Sequence, residues 1–330
     1  MNTSASNHYS QGMSKIAITG GAGFVGVNLL RTLLKLEHEV VVVDDFSTGL
    51  RTNLDGLNCE IHEVSIEDHK NLKVALKDCE YIFHLAARGS VPRSIRNPRA
   101  TLSVNVDGTL NVLECARETG AFVAFSSSSS VYGLNQELPK NEDMWTAPIT
   151  PYASSKLAGE SLVLSYSNSY GMPAVVYRFF NIFGPWQRPD HDYSAVVPKW
   201  IWSLMHGEKI KVYGDGNQTR DFTFIDSVID ILVRGMEEKI VHPRPINLAF
   251  GKRIRLNDLI AALQCKFPNM EVEYLGKRDG DVLDSQNNPA KLFSIFDNLT
   301  PVEFDVALEK TIGWFNNFGE LISNGPRVVD

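Results

Sequence analysis

Two stretches of the chain hold residues whose types and spacing could do chemistry. One is Ser126-Ser-Ser-Ser-Ser130, followed one element later by Tyr152-Ala-Ser-Ser-Lys156. Pro148 and Pro151 precede a helical pattern, and a spacing of four sets Tyr152 and Lys156 on one helix face, one turn apart. A phenol is a poor base near its free pKa of about 10, and each unit of lowering is worth about 1.4 kcal/mol of preference for the phenolate. An ammonium one turn away supplies such a preference. The spacing is common by chance, and its weight comes from following the serine loop.

The other stretch is Ile16-Ala-Ile-Thr-Gly-Gly-Ala-Gly-Phe-Val-Gly26, with an apolar-periodic run from Val27 to Leu36 behind it. The β-branched run Lys15–Thr19 reads as a buried strand and the periodic run as a helix, so the glycines occupy a strand-to-helix turn. Gly20, Gly21 and Gly23 let main chain approach a ligand closely, and Gly26 lets the helix pack on the sheet. A pyrophosphate then sits on the N-terminus of the helix, at Phe24 and Val25. A second strand, Glu39–Val43, ends in Asp44, near the spacing at which an acid reaches an adenosine ribose. Asp45 beside it would repel a ribose 2′-phosphate, so the cofactor reads as NAD rather than NADP, with Arg51 the one nearby residue that argues otherwise.

These residues need a scaffold of alternating strands and helices. Strands are expected near Cys59–Val64, at Tyr81–Leu85, Ala121–Ser126 and Pro173–Arg178, with a long helix over Thr101–Thr119. Leu85-Ala86-Ala87-Arg88 falls at the carboxyl end of the fourth strand, where open α/β sheets bind ligands, and Arg88 could lie against the pyrophosphate. After Pro185 the alternation loosens: a helix at Pro198–Met205, a strand at Lys209–Tyr213, and strand character again over Arg220–Asp226.

The fold class expected is α/β, a Rossmann-type doubly wound parallel sheet with a smaller interleaved C-terminal α+β lobe. Residues 14–180 and 222–250 make the cofactor domain, 181–221 and 251–330 the second lobe, and 1–13 a disordered tail. A chain of 330 residues buries such a core without staples. With 32 Lys+Arg against 39 Asp+Glu the net charge is −7, and the absence of a basic block argues against nucleic acid. Four widely spaced cysteines with no CxxC pair fit neither zinc nor a disulfide framework. No apolar run has signal-peptide or membrane-spanning length, so the expected setting is the cytoplasm, off the membrane.

Six ordered motifs carry a resemblance: Thr19–Gly26, Ser126–Gly133, Tyr152–Lys156, Arg178-Phe-Phe-Asn-Ile-Phe-Gly-Pro185, Gly214–Phe222 and Arg278-Asp-Gly-Asp-Val282. From Lys15 to Phe315 the chain resembles extended short-chain dehydrogenases/reductases, and within them the UDP-galactose (UDP-N-acetylglucosamine) 4-epimerase family. The resemblance implies Tyr152 as base, Lys156 as its electrostatic partner and nicotinamide-ribose ligand, and Ser128 as the hydroxyl on the reacting sugar oxygen, with its four serine neighbours still open for that role. It implies Ser126, Asn105 and Phe180 near the cofactor. Ser65-Ile66 stand at the adenine, where the family often has an acid. On the UDP-sugar it implies Ser90, Ser129, Asn181, Val196, Lys211, Tyr213, Arg220 and Arg278. Two arginines suit a diphosphate because guanidinium offers paired, permanent donors.

Related dehydratases and decarboxylases carry an acid just after the catalytic Ser/Thr, where this chain has Ser129 and Ser130. That leaves epimerisation at C4 or a simple ketoreduction; epimerisation through a transient 4-keto sugar is the favoured reading, with a UDP-glucuronate 4-epimerase or another dehydratase or reductase of the same fold as the alternative. Arg188 matches a position that in similar UDP-glucuronate 4-epimerases can meet the sugar carboxylate. Ser285 matches a wall of the hexose pocket, and its small size implies room for a 2-acetamido group. The resemblance further implies a homodimer through the helices Thr101–Thr119 and Tyr152–Tyr170.

Overall fold

The computed structural model describes residues 12–189, 195–276 and 284–323; the first eleven residues, most of the expected tail, lie outside them. The first half alternates as the sequence predicts. It runs β1 (Lys15–Thr19), α1 (Phe24–Lys35), β2 (Glu39–Val43), β3 (Glu60–His62), α2 (His69–Ala75), β4 (Tyr81–His84), α3 (Val91–Arg96), α4 (Pro98–Leu102), α5 (Gly108–Thr119), β5 (Phe122–Ser128), α6 (Pro151–Tyr170) and β6 (Ala174–Phe179). Next come β7 (Asn181–Phe183), α7 (Val196–Met205), β8 (Ile210–Tyr213), β9 (Thr219–Arg220), β10 (Phe222–Phe224), α8 (Ile225–Glu237) and β11 (Ile246–Leu248). The chain closes with β12 (Ile254–Arg255), α9 (Leu256–Lys266), β13 (Val272–Leu275), α10 (Ala290–Ile295) and α11 (Phe304–Ser323).

Seven parallel strands form one sheet in the order β11-β6-β5-β4-β1-β2-β3. Its central strands are apolar on both faces, as parallel strands covered by helices must be, whereas the edge strand β3 (Glu-Ile-His) is exposed. Ile16, Ile18, Val40, Val42 and Phe83 enter one core with Leu29 and Leu30 of α1, whereas Ala17, Val41, Val43 and Ile82 enter another with Leu72 of α2 and Val112 and Leu113 of α5. The first core continues into α7, α9 and α11 through Trp200, Leu259 and Phe315. The strand order reverses between β1 and β4, and their carboxyl ends open a crevice there.

One expectation is refined and one corrected. The helix over Thr101–Thr119 is present but not uniform, because a wide π-turn at Ser103–Asp107 joins α4 to α5. That turn carries Asn105 inward, where its Oδ1 accepts the Arg88 N–H at 2.7 Å and its Nδ2 donates to Ser155 Oγ at 2.9 Å. Strand character over Arg220–Asp226 stops at Phe224, and Ile225 opens α8. The stretch is split further: Arg220 pairs with Ile254 of β12 and Phe222 with Asn181 of β7, so Asp221 lies between two different sheets. A further two-stranded pairing is β8 with β13.

Candidate active site

The glycine turn fits the pyrophosphate of a dinucleotide. Gly20 has φ +72°, and a Cβ there would stand 2.8 Å from the Ala86 nitrogen. A Cβ on Gly26 would stand 2.3 Å from the Gly20 carbonyl oxygen, which is how α1 comes to lie against the strand. Gly23 caps α1 with no side chain, so its first amides face the crevice with the helix dipole behind them. Gly20, Gly23, Asp44, Ile66, Ala86 and Arg88 line one cleft together with Leu85, Ala87 and the loop residues Ser47 and Thr48. Phe24 and Val25 open α1 beside it, and Ser65 caps the turn to Glu67.

Asp44 is first of all a backbone clamp. Its carboxylate accepts the Ala22 N–H and the Phe46 N–H, each at 2.9 Å, closing the glycine turn on the loop after β2. Burial pushes this carboxyl up from its usual range, and the two backbone bonds oppose that rise. Any ribose contact must use the lone pairs left over. Arg51, the residue that argued for NADP, pairs with Glu63 and lies over the Phe46 ring at 4.2 Å.

The serine loop, α6 and β5 bring the second group together. The Ser128 side chain faces the Tyr152 hydroxyl and favours its phenolate, so Ser128 is the serine of the five that meets the phenol. Ser128 Oγ also accepts the Ser130 N–H at 3.2 Å, which starts the turn Ser129–Tyr132. The Ser130 hydroxyl oxygen is buried and has no partner among the described residues. Lys156 is buried on the same helix, and its Nζ donates to the Ser126 carbonyl at 2.8 Å. Burial pulls its ammonium down to about 8 while Glu160 holds it up. Burial also pushes the Tyr152 phenol up, with the Ser128 side chain opposing.

Sequence reasoning passed over His84, which sits buried at the end of β4 beneath both groups. The hydroxyl hydrogen of Thr109 goes to the Asn105 carbonyl at 2.7 Å. His84 Nε2 must therefore donate to Thr109 Oγ1 at 2.9 Å, leaving Nδ1 to accept the Thr19 hydroxyl at 2.7 Å. Thr19 Oγ1 in turn accepts the Ala86 N–H at 3.3 Å, and the His84 carbonyl accepts the Ser126 hydroxyl at 3.2 Å. Burial lowers the imidazole to about 3, and the Lys156 charge adds to that, so the ring is neutral. This directed chain ties the strand before the glycine turn to the loop after β4, and through Asn105 to the helix of Tyr152. The available signal was a histidine ending an apolar strand.

The remaining expected residues lie on separate elements. Phe180 packs in a small buried cluster with Val131, Tyr132 and Ala249. Ser90 caps α3, Asn181 opens β7, Val196 opens α7, and Lys211 and Tyr213 lie on β8, Lys211 with its side chain exposed. Arg220 and Ser285 meet on one acceptor: the Ser285 N–H donates to the Thr219 carbonyl at 3.1 Å and Arg220 Nη1 to the same carbonyl at 2.9 Å. Arg188 donates from Nη1 to the Thr48 carbonyl at 3.4 Å, on the adenosine-side loop. Arg278 lies outside the described residues.

Comparison with known proteins adds to this geometry. The family model for the NAD dependent epimerase/dehydratase family matches residues 16–249. Among solved structures, the UDP-N-acetylglucosamine 4-epimerase from Methanobrevibacter ruminantium M1, in complex with UDP-N-acetylmuramic acid, aligns with TM-score 0.88 at 33% identity over 93% of this chain and 99% of that one. The UDP-glucose 4-epimerase of Thermotoga maritima, solved with UDP-glucose, aligns with TM-score 0.85 at 30% identity over 92% and 98%. The UDP-glucuronic acid 4-epimerase of Bacillus cereus, in complex with UDP-glucuronic acid and NAD, aligns with TM-score 0.84 at 28% identity over 92% and 99%.

Proposed function

Because the chain belongs to the NAD-dependent epimerase/dehydratase family and is an NAD-dependent enzyme, we propose that it inverts C4 of a UDP-hexose, N-acetylated hexoses included, with no net change in NAD. The observation that carries this reading is the Ser128 side chain facing the Tyr152 phenol in a loop whose next two residues, Ser129 and Ser130, bear no carboxyl. A hydroxyl and a phenol at one oxygen serve proton transfer at C4, and an acid for expelling water is missing from the loop. When bound, NAD supplies a hydride acceptor and a positively charged ring.

Tyr152 takes the proton of the 4-hydroxyl while Ser128 hydrogen-bonds the same oxygen. Lys156, anchored on Ser126, keeps a positive charge one turn from the phenol. The hydride removed from C4 leaves a 4-keto sugar, which turns about its diphosphate tether. Return of the hydride to the other face, with the proton given back by Tyr152, completes the inversion. In this reading 14–180 and 222–250 serve the cofactor, and 181–221 and 251–330 serve the nucleotide sugar, with Arg220 and Arg278 on the diphosphate.

The acetamido sugars are favoured by Ser285, a small residue beside Arg220. The contact of Arg188 with the Thr48 carbonyl supports a place on the adenosine side over a role as a carboxylate anchor. A homodimer is supported by Val91, Ile95, Leu102 and Leu110, large apolar side chains exposed on α3, α4 and α5. The test is a panel of UDP-sugars followed by proton NMR, with Ser285→Tyr beside the parent. Filling the pocket should exclude UDP-N-acetylglucosamine and spare UDP-glucose. Equal handling of both classes by the two proteins, or turnover of UDP-glucuronate alone, refutes the substrate assignment.

A further inference from the structure

Two motif residues, Tyr132 of the serine loop and Arg178 at the head of its motif, have no part in proton or hydride transfer, and neither has Glu160, one turn beyond Lys156. The fold brings them together behind the reaction centre. Arg178 grips Glu160 with two nitrogens, Nε on Oε1 at 2.9 Å and Nη2 on Oε2 at 2.9 Å. Both residues are buried, at 4% and 2% exposure. Glu160 Oε1 also accepts the hydroxyl of Ser127 at 2.8 Å, next in sequence to Ser128.

The path continues outward. Arg178 Nη1 donates to the Tyr132 hydroxyl at 2.9 Å, and that hydroxyl faces two acceptors, Asn247 Oδ1 at 2.8 Å and the Asn141 carbonyl at 3.1 Å, the nearer being the one on this path. Asn247 Nδ2 donates to Asn287 Oδ1 at 2.9 Å, and Asn287 Nδ2 to the Ala249 carbonyl at 2.7 Å. The Asn287 and Gly251 N–H groups meet on Asp221 Oδ2 at 2.8 and 3.0 Å. Every side chain on this path is buried. It ends in the segment that carries Ser285, two residues before Asn287, and starts in the strand and helix that carry Ser128 and Lys156.

A buried ion pair adds little net stability against apolar residues of equal size, and its directional bonds are better suited to fixing a register. Each primary amide in the path has a donor and an acceptor side, so the chain closes in one arrangement only. We propose that Tyr132 is a positioning residue whose hydroxyl holds the segment 284–288 in register with β5 and α6, and thereby sets the distance between the sugar-pocket wall and the base. The proposal rests on reading Ser285 as that wall.

Tyr132→Phe keeps the ring and removes only the joining hydroxyl. The NAD-loaded full chain should show KM for UDP-sugars raised at least about tenfold, a smaller change in kcat, and a ratio of kcat/KM between acetamido and plain sugars moved toward one. NAD content per chain should match the parent. Asn287→Asp, isosteric but unable to donate to Ala249, should give the same split, and it decides the matter if Tyr132→Phe does not fold. Unchanged KM and substrate ratio, or an equal fall of kcat on every sugar at constant KM, overturns the proposal. If the parent turns over no UDP-sugar, the reading of the site fails, and calorimetric affinity for UDP still decides the proposal, with about tenfold weakening expected and no change refuting it.

Discussion

Lys156 gives the reaction a pH axis opposite in sign to that of stability. Burial pulls its ammonium from 10.5 to about 8, against the pull of Glu160. At about 1.4 kcal/mol per unit, that shift sets about 3 kcal/mol against the charged form in the folded chain. The folded value lies below the unfolded one. The cost is therefore fully present below pH 8 and is relieved as pH rises from 8 to 10.5. Activity should run the other way. Between about pH 7 and about pH 9 the ammonium fraction falls from about 0.9 to about 0.1, whereas an ordinary lysine would stay more than about 0.95 charged. If Tyr152 needs that charge, kcat at saturating UDP-sugar, followed by proton NMR, should fall about tenfold between about pH 7 and about pH 9 along an alkaline limb centred near pH 8. Glu160→Gln removes the charge that holds Lys156 up, and it should shift the limb to lower pH. A rate that holds or climbs through pH 9.5 refutes the role given to the ammonium.

Two other outcomes follow from the geometry. Gly26→Ala places a Cβ 2.3 Å from the Gly20 oxygen and 2.7 Å from the Gly21 Cα, backbone atoms that cannot swing aside. The expected result is about 1–3 kcal/mol of lost stability in a thermal melt and a lower ratio of bound NAD in the ultraviolet spectrum, and an unchanged ratio contradicts the turn assignment. His84 should show the Nε2–H tautomer in nitrogen-15 NMR, without movement across neutral pH, because burial holds its pKa near 3. A titration near the free value of 6.5 would contradict the directed hydrogen-bond chain.

The cofactor half was legible because its signals are local. Strands buried on both faces read as apolar runs, the glycines fall where backbone meets backbone, and Asp44 follows β2 directly. The π-turn was not legible, since Ser103–Asp107 continues the helical pattern and only the partners of Asn105 reveal the widened turn. Strand character was overextended to Asp226 because Ile225 continues an apolar run that the backbone divides into strand and helix start. The choice of Ser128 among five like serines needed the position of Tyr152. The polar path was out of reach for a different reason: Arg178 and Tyr132 are 46 residues apart, and Tyr132 and Asn247 are 115 apart. No periodicity links such residues, and each alone looks like a polar exception in an apolar stretch.

The central claim is that hydride leaves C4 and returns to the same carbon. The direct test is a UDP-N-acetylhexosamine deuterated at C4, incubated in ordinary water with the enzyme as purified and no NAD added. The product should be the C4 epimer with its deuterium retained at C4, no solvent hydrogen incorporated elsewhere on the ring, and no net oxidation or reduction of bound NAD. Loss of the C4 label to water, uptake of solvent hydrogen at a neighbouring carbon, or a product lacking one molecule of water would contradict it.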